Sequence, residues 1–313
     1  MALSILTEVL QYRRTAGPDT CSPHAPCAAC LAPHLPKIVA KVERRQPITF
    51  VLPAFPGKSP NLAKVLGVLP DMAERRALTF LQQLCERIGR IYPPGARIIL
   101  ASDGRVFSDV VGIRDEDVSA YRDELRAMIV ELGLDKLSTA NLEELYEGLT
   151  FDEMRSRMME TFGQPIEVLQ TAVRQAASAE ERELNRLYCG ITRFLVEDAT
   201  VPGQTKSRNA IQKESRTRAY EVIQRSQAWS AAVEHLFPEA VRLSIHPHGC
   251  GSGKLGIHFI ETAEGDNWMT PWHAVAVEVE EGRFMLTKRS AAEALGARLV
   301  VQGGRPSHFT LVR

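Results

Sequence analysis

Two short apolar runs, ITFVL at 48–52 and RIILA at 97–101, limit the fold of this chain more than any other feature. Between them lie a Pro/Gly loop (AFPGKSPN) and a helical pattern that starts at about Asp71. Asp71 with Glu74 three residues on has the spacing of a capping box, and Met72, Leu78, Leu81, Leu84, Cys85 and Ile88 supply an apolar helical stripe. The order is β-loop-α-β. Apolar runs without polar alternation suit a parallel sheet buried on both faces, whose crossovers are right-handed almost without exception. The expected fold class is α/β, with a Rossmann-like, mainly parallel sheet.

The rest of the chain divides around that core. Residues 117–235 read as almost wholly helical, with breaks near Gly133, Gly148, Gly163 and Pro202-Gly203. The last quarter returns to strands: AVRLSIHP, KLGIHFIE, HAVAVEVEEGRFMLTK with a Glu-Gly turn, then ARLVVQ and HFTLV. These strands either complete the first sheet or build a second one, and the sequence leaves both open. The expected organisation is an N-terminal helical, Cys-rich segment (1–46), the Rossmann-like core (47–132), a large helical insertion (133–238) and a strand-rich C-terminal part (239–313).

Composition removes several classes of function. With 313 residues, 44% of them apolar, the chain can bury a full core. Lys plus Arg and Asp plus Glu both number 38, so no global charge draws it to nucleic acid or to an anionic membrane. No apolar run approaches the roughly 18 residues that span a bilayer, and Glu8 interrupts the apolar N-terminus, which predicts a cytoplasmic protein. Cys85 and Cys189 sit in apolar helical stretches and read as core thiols. No GxGxxG follows either apolar run, so a dinucleotide is not expected despite the sheet pattern.

In open α/β sheets ligands bind beyond the carboxyl ends of the strands, which points to the loops after ITFVL and RIILA. The first offers Lys58 and Ser59 beside Gly57, with Asn61 close behind, a set able to hold a phosphate; the alternative is a rigid connector with a solvated lysine. The second, SDGRVFSD, places Asp103 at the strand end and Asp109 six residues on, either able to bind an amine or move a proton, although an Asp-Gly pair is commonly just a turn. In QTKSRNAIQKESRTR, Lys206 and Arg208 follow the Pro-Gly break, where a helix N-terminus adds its positive end; a solvated helix face is the plainer alternative. His246 and His273 adjoin strand termini and can serve as acid or base, whereas His258 lies within an apolar strand and reads as a core residue. Cys21, His24, Cys27 and Cys30 carry ligand-capable groups at every third position. Zinc accepts such a Cys₃His set, but four ligands within ten residues, with no second CxxC downstream, argue against it, and no metal ligand is expected at the catalytic site.

The stretches PITFVLPAFPGKSPNLAKVLGVLPDMAERRAL and IYPPGARIILASDGRVFSD, with TKSRNA, LSIHP and TPWH further on, closely resemble the isonitrile synthases, also called the pyoverdine/dityrosine biosynthesis family. The resemblance weakens before Ile38 and between about Gly133 and Glu183, and it leaves the Cys/His cluster outside. It implies a Rossmann-like fold and a metal-independent reaction without cofactor, in which the nitrogen of an aromatic amino acid, tyrosine or tryptophan, attacks the ketone carbon of ribulose 5-phosphate. That carbon becomes the isonitrile carbon. A non-haem iron, 2-oxoglutarate oxygenase is the implied partner acting on the product.

On that chemistry Lys58, Ser59, Lys206 and Arg208 fit the phosphate anchor, and Asn61, Asp109 and Lys254 join the substrate-binding candidates. Asp103 is placed to hold the substrate ammonium or accept its proton, and His246 and His273 to carry acid-base steps. Lys58 or Lys254 can supply a Schiff base, but the substrate amine forms the imine itself, which makes an enzyme lysine unnecessary. Two other readings compete: a phosphosugar-using aldolase or transferase on a similar core, and a non-catalytic metal- or partner-binding protein built on the Cys/His cluster.

Overall fold

The computed structural model describes residues 1–15, 21, 25–201, 203–263 and 269–312. The chain opens with α1 (Ala2–Leu10), α2 (Ala28–Leu31) and α3 (Leu35–Glu43), then enters the sheet at β1 (Ile48–Pro53). It continues through α4 (Met72–Ile91), β2 (Ala96–Ala101), α5 (Gly104–Val111), α6 (Asp115–Glu131) and β3 (Leu137–Ala140). A helical stretch follows: α7 (Leu142–Leu145), α8 (Phe151–Phe162), α9 (Ile166–Gln175), α10 (Ala179–Ala199) and α11 (Arg208–Leu236). The C-terminal part holds β4 (Val241–Ser244), β5 (Leu255–Gly256), β6 (Glu261–Thr262), a 3-10 turn (Pro271–His273), β7 (Val275–Glu280), β8 (Arg283–Thr287), α12 (Arg289–Ala294), β9 (Arg298–Gln302) and β10 (Arg305–Thr310).

The first sheet runs β3-β2-β1-β4-β5, and every pairing in it is parallel. This is the strand order of the doubly wound fold, whose topological switch point falls between β1 and β4. Both faces are covered, which explains why β1 is apolar apart from Thr49. Phe50 and Leu52 pack with Ile5, Leu6 and Val9 of α1 and with Leu78 and Leu81 of α4, while Val51 packs with Val106, Met158 and Trp229 from α5, α8 and α11. Each large aliphatic side chain sealed this way contributes about 1.5–3 kcal/mol.

α4 begins with the capping box expected from the sequence: the Asp71 carboxylate accepts from the Ala73 N–H at 2.8 Å, and Glu74 Oε2 accepts from the Asp71 N–H at 3.0 Å. Its first turn also meets the second sheet, β6-β8-β7-β10-β9, where Ala73 packs with Ala274, Ala276 and Leu286. That sheet is mixed, with antiparallel β7-β8 and β9-β10 joined by a parallel β7-β10 pairing. The C-terminal strands therefore do both things left open: β4 and β5 complete the first sheet, and β6 to β10 make the second.

Two readings need correction. β3 lies inside 133–238, so that stretch is not helical throughout; only Leu137 of its four residues is buried, too little apolar signal to mark a strand. Cys189 is exposed on the outer face of α10, unlike the buried Cys85. Near the N-terminus α1 seals one face of the sheet, and Arg13 bridges antiparallel to Ile257 beside β5. No helix among the described residues is long and apolar enough to cross a membrane.

Candidate active site

The loop after β1 is held by its neighbours rather than by its own prolines. Ser102, at the end of β2, donates to the Phe55 carbonyl at 2.8 Å, and the Ser59 N–H donates to the Trp272 carbonyl at 2.8 Å. Phe55 takes a left-handed φ of 61°. Gly104 opens α5 directly beneath this loop, and a Cβ there would stand 1.8 Å from the Pro56 carbonyl oxygen, so only glycine permits the approach.

Lys58 turns inward from that loop. Its Nζ lies 2.9 Å from Asp71 Oδ2 and 2.8 Å from Glu74 Oε2 and donates to the Pro271 carbonyl at 3.0 Å, which occupies all three N–H donors. Burial opposes its charge, but the two carboxylates outweigh this and raise its pKa above the ordinary lysine value. Burial pushes Glu74 up to about 7 against the pull of Lys58, and Glu74 also accepts from the Tyr121 hydroxyl at 3.1 Å. The capping box is thus one half of a buried ion-pair network that fixes the β1 loop.

Beyond Lys58 the same loop meets the end of α10. Ser59 Oγ donates to Asp198 Oδ1 at 3.0 Å, and Asn61 Nδ2 donates to the Glu197 carbonyl at 2.9 Å. Lys64, buried, reaches Asp198 Oδ1 at 2.5 Å and Glu197 Oε2 at 3.1 Å and stands 4.8 Å over the Phe194 ring. His273 packs edge-to-face with Phe194, at 4.7 Å between centroids. Its buried Nδ1 has no hydrogen-bond partner. Burial, then Lys64, Lys58 and His246, push its pKa down to about 3, so the imidazole is neutral at physiological pH.

The β4 side of the switch point is different in kind. His246 follows β4, is walled by protein yet open to solvent, and is pushed down to about 4 by burial and by His248, Arg14 and Lys254. Asp103 follows β2 at the start of α5; burial pushes its carboxyl up to about 7 against the pull of Arg242, and Oδ1 has no partner. Arg242, on β4, leaves Nε and Nη1 buried without partners, and burial pulls its pKa down to about 10 against Glu234 and Asp103. Burial and Arg242 likewise lower Lys254. Of these residues Arg242 and Lys254 line a cleft of about 320 Å³ together with Lys37, Ser230, Glu234 and His248. A carboxyl that titrates near neutrality beside an arginine with two buried unmatched nitrogens is the composition of a site for an anionic substrate and for proton transfer.

Comparison with known proteins agrees with this architecture. Residues 38–300 match the family model described as pyoverdine/dityrosine biosynthesis protein. The chain belongs to the pyoverdine/dityrosine biosynthesis family. It is 49% identical to an L-tryptophan isonitrile synthase of Fischerella ambigua, over 97% of this chain and 90% of that protein. It is 48% identical to an L-tyrosine isonitrile synthase of Pseudomonas aeruginosa, over 88% of this chain and 83% of that one. The crystal structure of the PvcA protein from Pseudomonas aeruginosa superposes with a TM-score of 0.89 at 44% identity, covering 99% of each chain.

Within this family member the residues singled out from sequence fall into two groups. Lys58, Ser59, Asn61, Asp103, His246, Lys254 and His273 gather around the switch point, but Lys58, Ser59 and Asn61 spend their polar groups on protein partners. Lys206, Arg208 and Asp109 lie elsewhere. Lys206 is exposed and pairs with Glu214 at 2.7 Å, Arg208 is exposed at the first turn of α11 behind the Ser207 cap, and Asp109 forms a two-pronged pair with Arg225 at 2.5 and 2.9 Å. Among the described residues none of the three bonds to the switch-point groups. Sequence reasoning passed over Lys64, Asp198 and Arg242. A sequence signal existed only for Arg242, a lone charge in the apolar run AVRLS. Cys21, Cys27 and Cys30 do come together, but the fourth thiol beside them is Cys250; His24 lies outside the described residues.

Proposed function

We propose that this protein is an isonitrile synthase that converts the α-amine of tryptophan or tyrosine into an isonitrile, with ribulose 5-phosphate as carbon donor. The observation that carries the reading is full-length similarity to tryptophan and tyrosine isonitrile synthases, joined to a site that suits the chemistry. Arg242 and Lys254, which line the same cleft, take the sugar phosphate, since the buried unmatched Nε and Nη1 of Arg242 gain the most from an anion. The amino-acid nitrogen attacks the ketone carbon, the carbinolamine loses water to an imine, and retro-aldol-like cleavage removes the flanking sugar carbons.

Asp103 accepts the ammonium proton and returns it to the departing hydroxyl, a role suited to a carboxyl that titrates at about 7. His246 and His273, both neutral, orient and relay protons among the sugar hydroxyls. Lys58 holds the loop in register through Asp71 and Glu74 instead of meeting the phosphate. Every proton transfer falls to a side chain, so no resident metal or organic cofactor enters the scheme. The product is suited to a non-haem iron, 2-oxoglutarate oxygenase as the next enzyme. The test is mass spectrometry after incubation with tryptophan or tyrosine and ribulose 5-phosphate labelled at the ketone carbon. Label in the isonitrile carbon is expected, and an unlabelled product or no isonitrile with either amino acid defeats the proposal.

A further inference from the structure

We propose that Cys21, Cys27, Cys30 and Cys250 bind one zinc ion that staples the N-terminal segment to the loop between β4 and β5. The four Sγ atoms all lie within 4.8 Å of one another. Cys30 stands at the centre, 3.4 Å from Cys21, 3.5 Å from Cys27 and 3.2 Å from Cys250. A disulfide needs about 2.05 Å, so these separations are not those of bonded pairs. A tetrahedral ion about 2.3 Å from each sulfur sets its ligands about 3.8 Å apart, so the cluster needs to open by only a few tenths of an ångström around Cys30.

The surroundings suit thiolates. The Cys27 N–H donates to Cys21 Sγ at 2.9 Å, and the Arg13 guanidinium donates to Cys30 Sγ at 3.1 Å and to Cys250 Sγ at 3.6 Å. Such N–H to sulfur bonds orient metal ligands from outside the coordination sphere. On binding, each thiol releases its proton to solvent and gives a lone pair to Zn²⁺. Four thiolates and one dication leave a net charge of −2, which Arg13 partly offsets, and no electron changes hands. Four soft sulfurs exclude calcium and magnesium, and their convergence on one centre fits a single ion, whereas the thiolates of an iron–sulfur cluster attach to separate irons. With four protein ligands the site is closed, hence structural rather than catalytic.

The staple reaches the chemistry through its fourth ligand. Cys250 follows His246 and His248, and Arg13 also donates to the His248 carbonyl at 3.4 Å, so the ion would fix the loop that carries His246 and Lys254. This inference stands on the thiol geometry alone and does not depend on the activity proposed above.

The test is elemental analysis of the full-length protein purified without added metal or chelator. One zinc per chain is expected, and cobalt substituted for it should show the sulfur-to-metal charge-transfer and tetrahedral d–d bands of a four-thiolate site. Cys250→Ser should lose the bound zinc and those bands, while Cys189→Ser keeps both. Should Cys250→Ser fail to fold, titration of the unaltered protein with an organomercurial replaces it, with zinc release expected to track the modification of four thiols. A zinc-free protein from zinc-supplemented cells, iron in place of zinc, or full zinc retention in Cys250→Ser would each overturn the proposal.

Discussion

Lys58 and Arg242 stand on opposite sides of the same switch point, both cationic, the first buried and the second half-buried, and they are treated in opposite ways. Lys58 has a partner for each of its donors, and both carboxylates belong to the helix cap that starts α4. Arg242 is left with two donors unmatched, opposite an Asp103 oxygen that is also unmatched. Of the Arg242 nitrogens Nη2 alone reaches a protein partner among the described residues, Ser230 Oγ at 3.4 Å, and buried donors left unmatched are costly, so a fold retains them where something outside the protein completes them. The contrast separates a lysine that builds the site from an arginine that waits for a ligand.

The sharpest way to break the comparison is Lys58→Met. Removing one member of a buried ion pair strands Asp71 and Glu74, and a loss of about 3–5 kcal/mol in unfolding free energy is expected by denaturant titration. A stable Lys58→Met protein with a raised KM for the phosphosugar alone would instead restore Lys58 as an anion ligand. Asp103→Asn should spare stability yet lower kcat by about a hundredfold to ten-thousandfold.

Its pH signature is specific. Burial raises the folded pKa of Asp103 to about 7 from an unfolded value near 3.9, so the folded state holds the extra proton between them. The stability this carboxyl contributes is full below the unfolded value and is lost as pH rises through about 7. Asp103→Asn should flatten that decline in melting temperature between about pH 4 and 7, whereas catalysis by the wild-type base should fall as pH drops below about 7. An unchanged slope would remove Asp103 from its buried, protonated setting.

Arg242→Met tests the other side. A charge-assisted phosphate contact is worth about 1.5–3 kcal/mol, which predicts a roughly tenfold to hundredfold rise in KM for ribulose 5-phosphate, with the amino-acid KM little changed and the melting temperature maintained or raised. Equal effects on both substrates would mean that Arg242 does not meet the phosphate. The smallest effect belongs to Lys206→Ala, since that side chain is exposed, precedes α11 and pairs with exposed Glu214 on that helix; steady-state kinetics should leave both KM values where they were.

What could be read in the sequence follows from distance along the chain. The β1 and β2 runs, the Asp71 to Glu74 cap and the apolar stripe of α4 are local patterns, and each has the place it was expected to have. Lys58 showed its loop but not its partners, because nothing local says that the cap of the next helix folds back onto it. Asp198 reaches Lys64 from 134 residues away, and Cys250 reaches Cys30 from 220, separations at which spacing carries no information. The same limit turned Lys206 and Arg208 into anchor candidates: a basic run looks alike on a solvated helix and in a pocket. Arg242 was legible in principle, since an arginine inside an apolar strand must be answered by something.

Gly104 brings one more consequence. The backbone beneath Pro56 leaves no room for even a methyl group, so the Lys58 loop and the turn that carries Asp103 are joined main chain to main chain, with no side chain between them to lengthen or trim. A saturation library at position 104 should therefore return glycine alone among active clones. Changes in the width of the neighbouring cleft therefore have to come from its side-chain walls, such as Ser230, Phe237 and Ser252, and not from this backbone joint.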